Sequence, residues 1–415
     1  MLASRLVPAS CRFCGAPLEH VFVDLGMSPI ANAYPRAEEI HRMEPFYPLR
    51  CLVCAECFLV QLEEFESPER IFSDDYAYFS SYSSSWVEHA RAYVEMAAAR
   101  FGLGGEHRVV EIASNDGYLL QFFVERGVPS LGIEPAANTA EAARERGVET
   151  LVRFFGTETA REAAAAGKAD LIIGNNVLAH VPDLNDFVAG VGELLAPGGT
   201  VTMEFPHLLR LIENREWDTI YHEHFSYFSW LTVRRVFEAH GLRLYDVEEI
   251  PTHGGSLRIY GCHADAGLAD SPAIAELERR EREAGLDRLE TYLSFEQRVR
   301  EHKWAIVEFL VDERRAGSRI AAYGAPAKGN TLLNYCGVRT DLIEFTADMN
   351  PVKQGRFLPG THIPIFAPDH IRAERPDLVL ILPWNIRAEI AEQLAFVREW
   401  GGRLAVPAPE VGVLE

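Results

Sequence analysis

The chain has 415 residues, which exceeds one ordinary core, so we expect two or three domains. Its formal net charge of -21 argues against a nucleic-acid partner, because the phosphates would be repelled, although a local lysine pair can still hold a small anion. No apolar run approaches the roughly 20 residues that span a bilayer, and residues 1–10 lack the apolar core of a secretory signal, so we expect a cytoplasmic protein with no membrane partner.

The first 70 residues are rich in cysteine and proline and show no long helical pattern. They hold one Cys-x-x-Cys pair and then two overlapping pairs: Cys11 and Cys14, followed by Cys51, Cys54 and Cys57. Two such pairs predict a tetrahedral Cys₄ zinc site that folds this head and leaves no open position for catalysis. The spacing alone leaves the second pair open, and buried free thiols are the alternative.

After an aromatic and serine-rich stretch, 72–86, and an amphipathic helix, 85–100, apolar runs alternate with helical segments. Strands are predicted at 108–113, 130–133, 169–174 and 200–205, and helices at 118–126, 136–146 and 186–195. This alternation predicts a parallel, doubly wound sheet.

Residues 268–317 are charged and rich in alanine and leucine, which predicts two long helices at a domain boundary. A second alternating region follows, with strands predicted at 319–323, 342–347, 378–382 and 403–407. The predicted fold class is therefore α/β, with a small zinc-binding head and two Rossmann-like sheets. The predicted domains are 1–70, 71–265 and 266–415, the last beginning with a helical linker, 266–318.

The first predicted strand leads into a loop of small and polar residues that lacks G-x-G-x-x-G. Glu134 ends the next strand, where a carboxylate can accept hydrogen bonds from both ribose hydroxyls of an adenosine. An Asn-rich strand end and a predicted Pro-Gly-Gly turn, 197–199, follow in order. This order resembles the class I S-adenosylmethionine methyltransferases, the alternative being an unrelated α/β domain. The candidate cofactor residues are Glu111, Ala113, Ser114, Asn115, Asp116, Gly117, Glu134, Pro135, Asn175, Asn176 and Val177.

Tyr221-His222-Glu223-His224 places a phenol, two imidazoles and a carboxylate in four consecutive residues. A methyltransferase acting on oxygen needs one base, so this cluster indicates a harder reaction, such as removal of a proton from carbon. Surface histidines or a His-x-His metal site are the alternatives.

Seven segments together resemble the sugar C-methyltransferases of deoxysugar biosynthesis, over nearly the whole chain. They are 25–32, 54–62, 111–118, 221–228, 253–258, 324–330 and 350–356. The resemblance implies a zinc-binding head, a class I methyltransferase domain with S-adenosylmethionine, a C-terminal α/β domain and a structural Zn²⁺. It selects Cys11, Cys14, Cys54 and Cys57 as ligands, with Cys51 as a bystander. Ala113 departs from the family, where glycine is common, and would fit if its φ were negative.

The implied substrate is a small molecule, a nucleotide-diphosphate 4-keto-deoxyhexose, whose carbon beside the ketone becomes a nucleophile once it is deprotonated. We expect His224 to be the base, Glu223 to orient an imidazole, and Tyr221 to donate a hydrogen bond to the ketone oxygen. His180 is a second donor or acceptor near the ketone. We take a monomer as the starting hypothesis, since nothing in the sequence fixes the oligomeric state.

Further residues are candidates for holding the substrate: Tyr76, Tyr78, Phe79, Ser80, His253, Lys328, Asn330, Lys353 and Arg356. The aromatic residues would close over the sugar or base, or else pack into a domain seam. Lys328 and the backbone amides of the 324–330 turn would hold the diphosphate, supported by Asn330, Lys353 and Arg356. Ordinary turns and a solvated loop are the alternatives.

The sequence thus predicts methylation of carbon 3 of a thymidine-diphosphate 4-keto-deoxyhexose, as in antibiotic sugar biosynthesis. Carbon 5 is an alternative, since it also lies beside the ketone. O- or N-methylation of another small molecule, or a zinc-containing scaffold that only retains S-adenosylmethionine, are the competing functions.

Overall fold

The computed structural model describes residues 9–65 and 79–414, so the candidates Tyr76 and Tyr78 lie outside the described residues. Within these ranges the strands form three sheets. The fold class predicted from the sequence is confirmed, with a cysteine-bearing head and two α/β layers.

The head is built on an antiparallel sheet that the sequence analysis did not predict. Its strands are β1 (His20–Ser28), β2 (Tyr47–Val53), β3 (Val60–Leu62) and, from far along the chain, β9 (Ser226–Tyr227). They pair in the order β1-β2-β3-β9, and Val60 lies opposite Tyr227. The residues that directly follow His224 therefore form an edge strand of the head.

The second sheet has seven strands: β4 (Val109–Ile112), β5 (Ser130–Ile133), β6 (Thr150–Leu151), β7 (Ala169–Asn175), β8 (Leu195–Pro206), β10 (Leu242–Ile250) and β11 (Ser256–His263). Its order is β10-β11-β8-β7-β4-β5-β6. The strands from β4 to β8 are parallel, and β4 is buried along its whole length because helices cover both faces. The antiparallel β10–β11 hairpin was not predicted.

Seven helices accompany this sheet: α1 (Ser84–Phe101), α2 (Leu120–Glu125), α3 (Ala137–Glu145), α4 (Thr157–Ala164), α5 (Leu184–Leu194), α6 (Leu208–Asn214) and α7 (Trp230–Glu238). Helix α1 begins where the Ser83 side chain accepts a hydrogen bond from the Trp86 amide, and it ends at Gly102 with φ +62°. The predicted Pro-Gly-Gly turn is instead part of β8. Gly199 is required there because a Cβ would lie 2.8 Å from the Ala169 carbonyl oxygen.

Helices α8 (Pro272–Glu283), α9 (Leu289–Leu293) and α10 (Phe295–Arg315) lead to the third sheet. Its strands are β12 (Ile320–Tyr323), β13 (Thr346–Ala347), β14 (Ile365–Phe366), β15 (Leu378–Ile381), β16 (Arg403–Val406) and β17 (Gly412–Val413). They lie in the order β14-β13-β12-β15-β16-β17, and only β17 is antiparallel to its neighbour. The accompanying helices are α11 (Ala327–Cys336), α12 (Asp369–Glu374) and α13 (Arg387–Gln393).

Buried apolar contacts join the head to both α/β layers. Phe22 of β1 stacks on Phe295 of α10 with ring centroids 4.6 Å apart. Cys11, Cys54 and Cys57 belong to the same apolar cluster as the core of the seven-stranded sheet. The head is thus fixed between the two sheets, at the edge where the loops of β4, β5 and β7 end. None of the described helices has the length and apolar character needed to cross a membrane.

Candidate active site

A cavity of about 560 Å³ lies where the three parts meet. The head contributes Asn32 to its wall, the seven-stranded sheet contributes the loops at its strand ends, and the C-terminal layer contributes the start of α11 and Lys353. Because the carboxyl ends of parallel strands share one edge, loops distant in sequence converge on one space.

Seven of the predicted cofactor residues line this cavity: Ala113, Asn115, Glu134, Pro135, Asn175, Asn176 and Val177. The carboxylate of Glu134 accepts hydrogen bonds from the main-chain amides of Asn115 and Ala136, each at 2.9 Å, which fixes it at the end of β5. Burial raises its pKa, and the two amides act in the opposite direction. This placement suits recognition of ribose hydroxyls.

The other four predicted cofactor residues lie behind the wall. Glu111 and Ser114 are buried and have no side-chain hydrogen-bond partner among the described residues, and burial raises the pKa of Glu111 well above its usual value. Asp116 pairs with Arg146 at 3.0 Å and accepts a hydrogen bond from Ser81, so it holds the 79–82 segment. Gly117 packs against α3. In this structure these four residues support the loop, and their direct contact with the cofactor stays a prediction.

The loops after β4 and β7, which hold the candidate cofactor residues, have strained backbone at non-glycine residues. Ala113, Asn115 and Asn176 have φ values of +58°, +50° and +53°. The condition of a negative φ, under which alanine would fit without strain, is therefore not met at Ala113, and the alanine occupies a conformation that glycine adopts without cost. Such strain persists where the surrounding structure enforces it, commonly at ligand sites.

The buried side chain of Asn175 tests whether S-adenosylmethionine fits. Both its amide oxygen and its amide nitrogen lack partners among the residues described, although Asn175 lines the cavity. An unpaired buried donor and acceptor are costly unless a ligand satisfies them. Together with the Glu134 carboxylate, they provide complementary groups for an amino acid and a ribose, so the residues fit this cofactor.

The two candidate histidines meet in the cavity wall. Nδ1 of His224 donates to the Thr219 carbonyl oxygen at 2.9 Å, and Nδ1 of His180 donates to the Glu223 carbonyl oxygen at 2.7 Å. Burial lowers the pKa of His180 to about 4 and that of His224 well below its usual value. Both rings are therefore neutral near pH 7. Nε2 of His224 has no hydrogen-bond partner in the described part of the chain.

Tyr221 lines the cavity and packs on His224, with ring centroids 4.0 Å apart. The predicted role of Glu223 in orienting an imidazole is corrected: its main-chain carbonyl contacts His180, while its carboxylate accepts a hydrogen bond from Asn32 at 2.7 Å. The tight turn directs the Glu223 side chain towards the head. His222 points elsewhere, since its Nε2 donates to the Pro48 carbonyl oxygen at 3.1 Å.

His253 lines the cavity beside the cofactor loop. Its Nε2 accepts a hydrogen bond from the Asn176 amide at 3.2 Å, and burial lowers its pKa to about 4. The following glycines allow the backbone to approach protein side chains, because a Cβ at Gly254 would lie 2.5 Å from Glu216 Oε1. The glycines therefore serve packing, and His253 is the residue of this turn that lines the cavity.

Lys328 and Lys353 both line the cavity. The Lys328 ammonium donates to Asn385 Oδ1 at 2.6 Å, and burial lowers its pKa while Asp218 and Glu216 act in the opposite direction. The Lys353 ammonium donates to the Ala325 carbonyl oxygen at 2.8 Å. These are two cations at the wall of a protein whose net charge is -21, so they favour an anionic group there.

Two predicted substrate residues lie outside the cavity wall. The amide of the buried Asn330 donates to the Ala31 carbonyl oxygen at 2.5 Å, so it joins α11 to the head. Arg356 lies in the hairpin after Lys353, where its main chain bonds Ile365 at 2.9 Å. Asn330 thus supports the contact between α11 and the head, and direct substrate contact by either residue stays a prediction.

In the 79–82 segment, one predicted substrate residue lines the cavity and another does not. Ser80 lines the cavity, and its main-chain amide donates to Asn115 Oδ1 at 2.9 Å. The Phe79 ring instead stacks on Tyr82 with centroids 5.4 Å apart, and Phe79 is not part of the wall. Phe79 therefore packs within the segment, and its contact with the substrate stays a prediction.

The four predicted zinc ligands converge. The Sγ atoms of Cys11, Cys14, Cys54 and Cys57 all lie within 4.8 Å of one another. The Cys11–Cys57 and Cys14–Cys54 pairs are 3.6 and 3.5 Å apart, near the edge of about 3.8 Å in a tetrahedron with Zn–S bonds of about 2.3 Å. The Gln61 amide donates to Cys11 Sγ at 3.2 Å, which suits a thiolate ligand. In residues 9–65 and 79–414 no other group of three or more such side chains could hold a metal, so His222 and His224 form no metal site. Cys51 is a core residue of β2.

Several wall residues were missed by the sequence analysis: Asn32, Trp86, Tyr118, Arg153, Phe154 and Phe155. Trp86 stacks on His89 and packs against His253 with centroids 5.3 Å apart. Asn32 ends one of the segments that carried the family resemblance, which was a signal for a site residue. Tyr118 also ends such a segment, 111–118. Trp86 begins a helix, the residues from Arg153 to Phe155 follow a strand, and these four carry no motif.

Family models match three consecutive parts of the chain: a zinc binding domain over residues 11–72, a methyltransferase domain over 86–247 and a C-methyltransferase C-terminal domain over 251–409. The C-methyltransferase NovU of Streptomyces niveus is 38% identical over 97% of this chain and 96% of its own length. A ubiquinone biosynthesis O-methyltransferase of Chelativorans sp. (strain BNC1) is 32% identical over 22% of this chain and 37% of its own length.

Among solved structures, the magnesium protoporphyrin IX methyltransferase of Synechocystis PCC 6803 with bound S-adenosylmethionine covers 47% of this chain and 88% of its own. Its sequence identity is 14% and its TM-score 0.34. The sheet order, the cofactor loop, the four converging thiols and the full-length similarity to NovU agree. The chain belongs to the C-methyltransferase family and is an S-adenosylmethionine-dependent methyltransferase with a zinc-binding head.

Proposed function

We propose that the protein methylates carbon 3 of a thymidine-diphosphate 4-keto-deoxyhexose. The observation that carries this proposal is His224, a neutral imidazole in the wall of the cavity that also holds the cofactor residues. Such a base is needed for transfer to carbon. The 38% identity with a C-methyltransferase over 97% of the chain supports the same class of acceptor.

The carbon beside a ketone is acidic enough for a neutral imidazole to deprotonate when the resulting enolate is stabilised. His224 donates from Nδ1 to the Thr219 carbonyl, so its lone pair is on Nε2, and this atom accepts the proton. Tyr221 donates a hydrogen bond to the enolate oxygen. When bound, S-adenosylmethionine supplies a methyl group on an electrophilic sulfonium. His180 adds a second neutral ring beside His224.

Lys328 and Lys353 would bind the diphosphate, since both residues line the cavity wall. We propose that residues 71–265 bind the cofactor and that residues 266–415 bind the nucleotide part of the substrate. Asn330 acts through its hydrogen bond to the Ala31 carbonyl oxygen of the head.

Experiment can distinguish methylation of carbon 3 from methylation of another acceptor and from a non-catalytic function. Carbon 5 lies beside the same ketone and would exchange its hydrogen instead of carbon 3. An O- or N-methyltransferase, to which the partial similarity with ubiquinone biosynthesis enzymes corresponds, would need no ketone and would cause no exchange at carbon. A non-catalytic scaffold would bind S-adenosylhomocysteine and ignore thymidine diphosphate.

The test is mass spectrometry and NMR of products after incubation with S-adenosylmethionine and a panel of thymidine-diphosphate keto-sugars in D₂O. One added methyl on carbon 3, with deuterium exchange at that carbon when methyl transfer is blocked by S-adenosylhomocysteine, is the expected result. Methylation only at oxygen or nitrogen would contradict the proposal.

A further inference from the structure

Asn32 brings the zinc-binding head into contact with the turn formed by residues 221–224, here called the catalytic turn. Its Nδ2 donates to Glu223 Oε1 at 2.7 Å, and its Oδ1 lies 3.1 Å from the Tyr34 hydroxyl. That hydroxyl donates to the Ala325 carbonyl oxygen at 2.6 Å, the same oxygen that accepts from Lys353. Asn32 therefore bonds the catalytic turn through its Nδ2, its Oδ1 lies beside a hydroxyl that bonds the C-terminal layer, and it lines the cavity.

Glu223 is 3% exposed, and burial raises its pKa to about 7, while the Asn32 amide and then the Lys353 charge act in the opposite direction. Tyr34 from the head faces the same carboxyl, and the His180 ring bonds its main chain. A substantial fraction of Glu223 is thus protonated near neutral pH.

The proton of neutral Glu223 resides on Oε2, because Oε1 accepts the hydrogen bond from Asn32. No residue in the described ranges bonds Oε2. Glu223 lines the same cavity as His224, so this hydroxyl belongs to the space where the substrate is deprotonated. A neutral carboxylic acid in an enclosed site is an effective hydrogen-bond donor to an oxygen that gains negative charge.

We propose that Asn32 is a positioning residue for the reaction: its amide holds Oε1 of Glu223, so that the hydroxyl at Oε2 donates a hydrogen bond to the substrate's keto oxygen. The inference rests on the proposed function, because only a keto substrate develops charge on that oxygen. The proton stays on Glu223, which forms no bond to the substrate, and His224 receives the proton that leaves carbon.

Replacement of Asn32 should change the pH dependence of the reaction rate. The Asn32 amide stabilises the ionised carboxylate, so Asn32→Ala raises the pKa of Glu223 further, and Asn32→Asp does the same through like-charge repulsion. The neutral acid then persists to higher pH. In both variants the alkaline limb of the pH–rate profile therefore moves upward, while the rate near pH 7 falls about 10-fold or more because Glu223 has lost its fixed orientation.

The experiment measures solvent-deuterium exchange into thymidine-diphosphate-4-keto-6-deoxyglucose from pH 5.5 to 9.5 with S-adenosylhomocysteine bound. Zinc content and the calorimetric affinity for S-adenosylhomocysteine are expected to stay within about twofold of the unmodified protein. Glu223→Gln keeps a donor but cannot ionise, so its alkaline limb is expected to flatten. Asn32→Asp is nearly isosteric and decides the question if Asn32→Ala loses zinc.

Asn214→Ala is the matched control. Asn214 Nδ2 donates to Glu216 Oε1 at 3.0 Å, and burial raises the pKa of Glu216 to about 7, but neither residue lines the cavity. Its exchange profile should match that of the unmodified protein. Unchanged rate and an unmoved alkaline limb in both Asn32 variants would overturn the inference alone. Absence of exchange in the unmodified protein would overturn it together with the proposed function.

Discussion

The rings of His180 and His224 meet edge to face with centroids 4.7 Å apart. Each ring donates its Nδ1 hydrogen to a main-chain carbonyl, so both have the same tautomer. Charge on one ring disfavours charge on the other, and part of the lowering of the His224 pKa has this cause. The pair therefore stays neutral where a single exposed histidine would begin to titrate.

Replacement of His224 tests the base. His224→Asn is expected to lower carbon-hydrogen exchange and methyl transfer by about 10²–10⁴-fold, because it removes the proton acceptor. Binding of S-adenosylhomocysteine, measured by calorimetry, should be unchanged. His240→Asn is the control, since His240 bonds Asn185 at 2.9 Å outside the cavity wall. Retained exchange in His224→Asn would assign the base to another residue.

Acid should destabilise the fold through these buried rings. The pKa of His180 is about 4 in the folded protein, against about 6.5 when unfolded, so the unfolded chain binds more protons between these values. Stability is therefore lost as pH falls from 6.5 towards 4, by at most about 3 kcal/mol from this ring, because cavity water screens it.

Urea unfolding of the unmodified protein and of His180→Gln at pH 7.5 and 5 measures this effect. The variant should lose less stability on acidification. His41→Gln, at an exposed position, should behave like the unmodified protein. An equal loss in all three proteins would contradict the assignment.

Zinc should be required for the catalytic geometry more than for cofactor binding. Arg12, between two ligands, donates to the Pro182 carbonyl at 3.0 Å and to the Leu62 carbonyl at 2.5 Å. Pro182 follows His180 closely, and the Leu62 amide donates to the Phe225 carbonyl, next to His224. The loop from Cys11 to Cys14 therefore fixes the segments that carry His180 and His224.

Cys54→Ser is expected to lose zinc and carbon-hydrogen exchange while its affinity for S-adenosylhomocysteine falls by less than about tenfold. Metal analysis and calorimetry give these values. Cys51→Ala should retain the metal, because Cys51 is not one of the four converging thiols. Full exchange in metal-free Cys54→Ser would show that the head acts independently of the site.

Relief of strain at Ala113 should stabilise the protein. Its φ of +58° costs an L-residue about 1 kcal/mol, part of which is offset by the larger entropy that glycine loses on folding. Ala113→Gly is expected to raise the free energy of unfolding by about 0.5 kcal/mol. Gly117→Ala should do the reverse, since its φ is +75° and a Cβ would lie 3.1 Å from Ala143 Cβ. Denaturant titrations measure both free energies of unfolding. A less stable Ala113→Gly variant or a more stable Gly117→Ala variant would contradict the prediction.

The two cavity lysines should set the affinity for the diphosphate. Lys328→Gln and Lys353→Gln are each expected to raise KM for the nucleotide sugar about tenfold or more, with a smaller effect on kcat, because each ammonium gives a charge-assisted contact. Arg356→Gln removes a nearby cation outside the wall and should leave KM within about twofold. Equal effects of all three variants would indicate a general electrostatic field in place of a defined subsite.

The sequence predicted the parallel strands of both sheets except the two-residue strands β6 and β14, because longer buried strands read as apolar runs between helices. The head strands and the β10–β11 hairpin were not predicted, because their sequences mix charged with apolar residues. Arg258 of β11, for example, is buried only because it bonds Glu204 at 2.7 Å and Glu248 at 2.9 Å. Those pairings are set by tertiary structure.

Among the site residues, motif position predicted those at strand ends well, such as Glu134 and Asn175. It could not separate residues that face the cavity from neighbours that face the interior, as Asn115 and Asp116 show. Asn330 and Lys328 are two residues apart on α11 and so differ by about 200° in direction. The side of the helix decided which of them lines the cavity.

The pairing of β9 with β3 limits how enzymes of this type can be recombined. The strand that continues the catalytic turn completes a sheet encoded some 160 positions earlier, with Val60 opposite Tyr227. A hybrid that takes its amino-terminal segment from one homologue and its remaining chain from another would join mismatched strand edges beside the reacting carbon. Grafts intended to alter sugar selectivity should therefore transfer residues 9–65 and 221–228 as one unit.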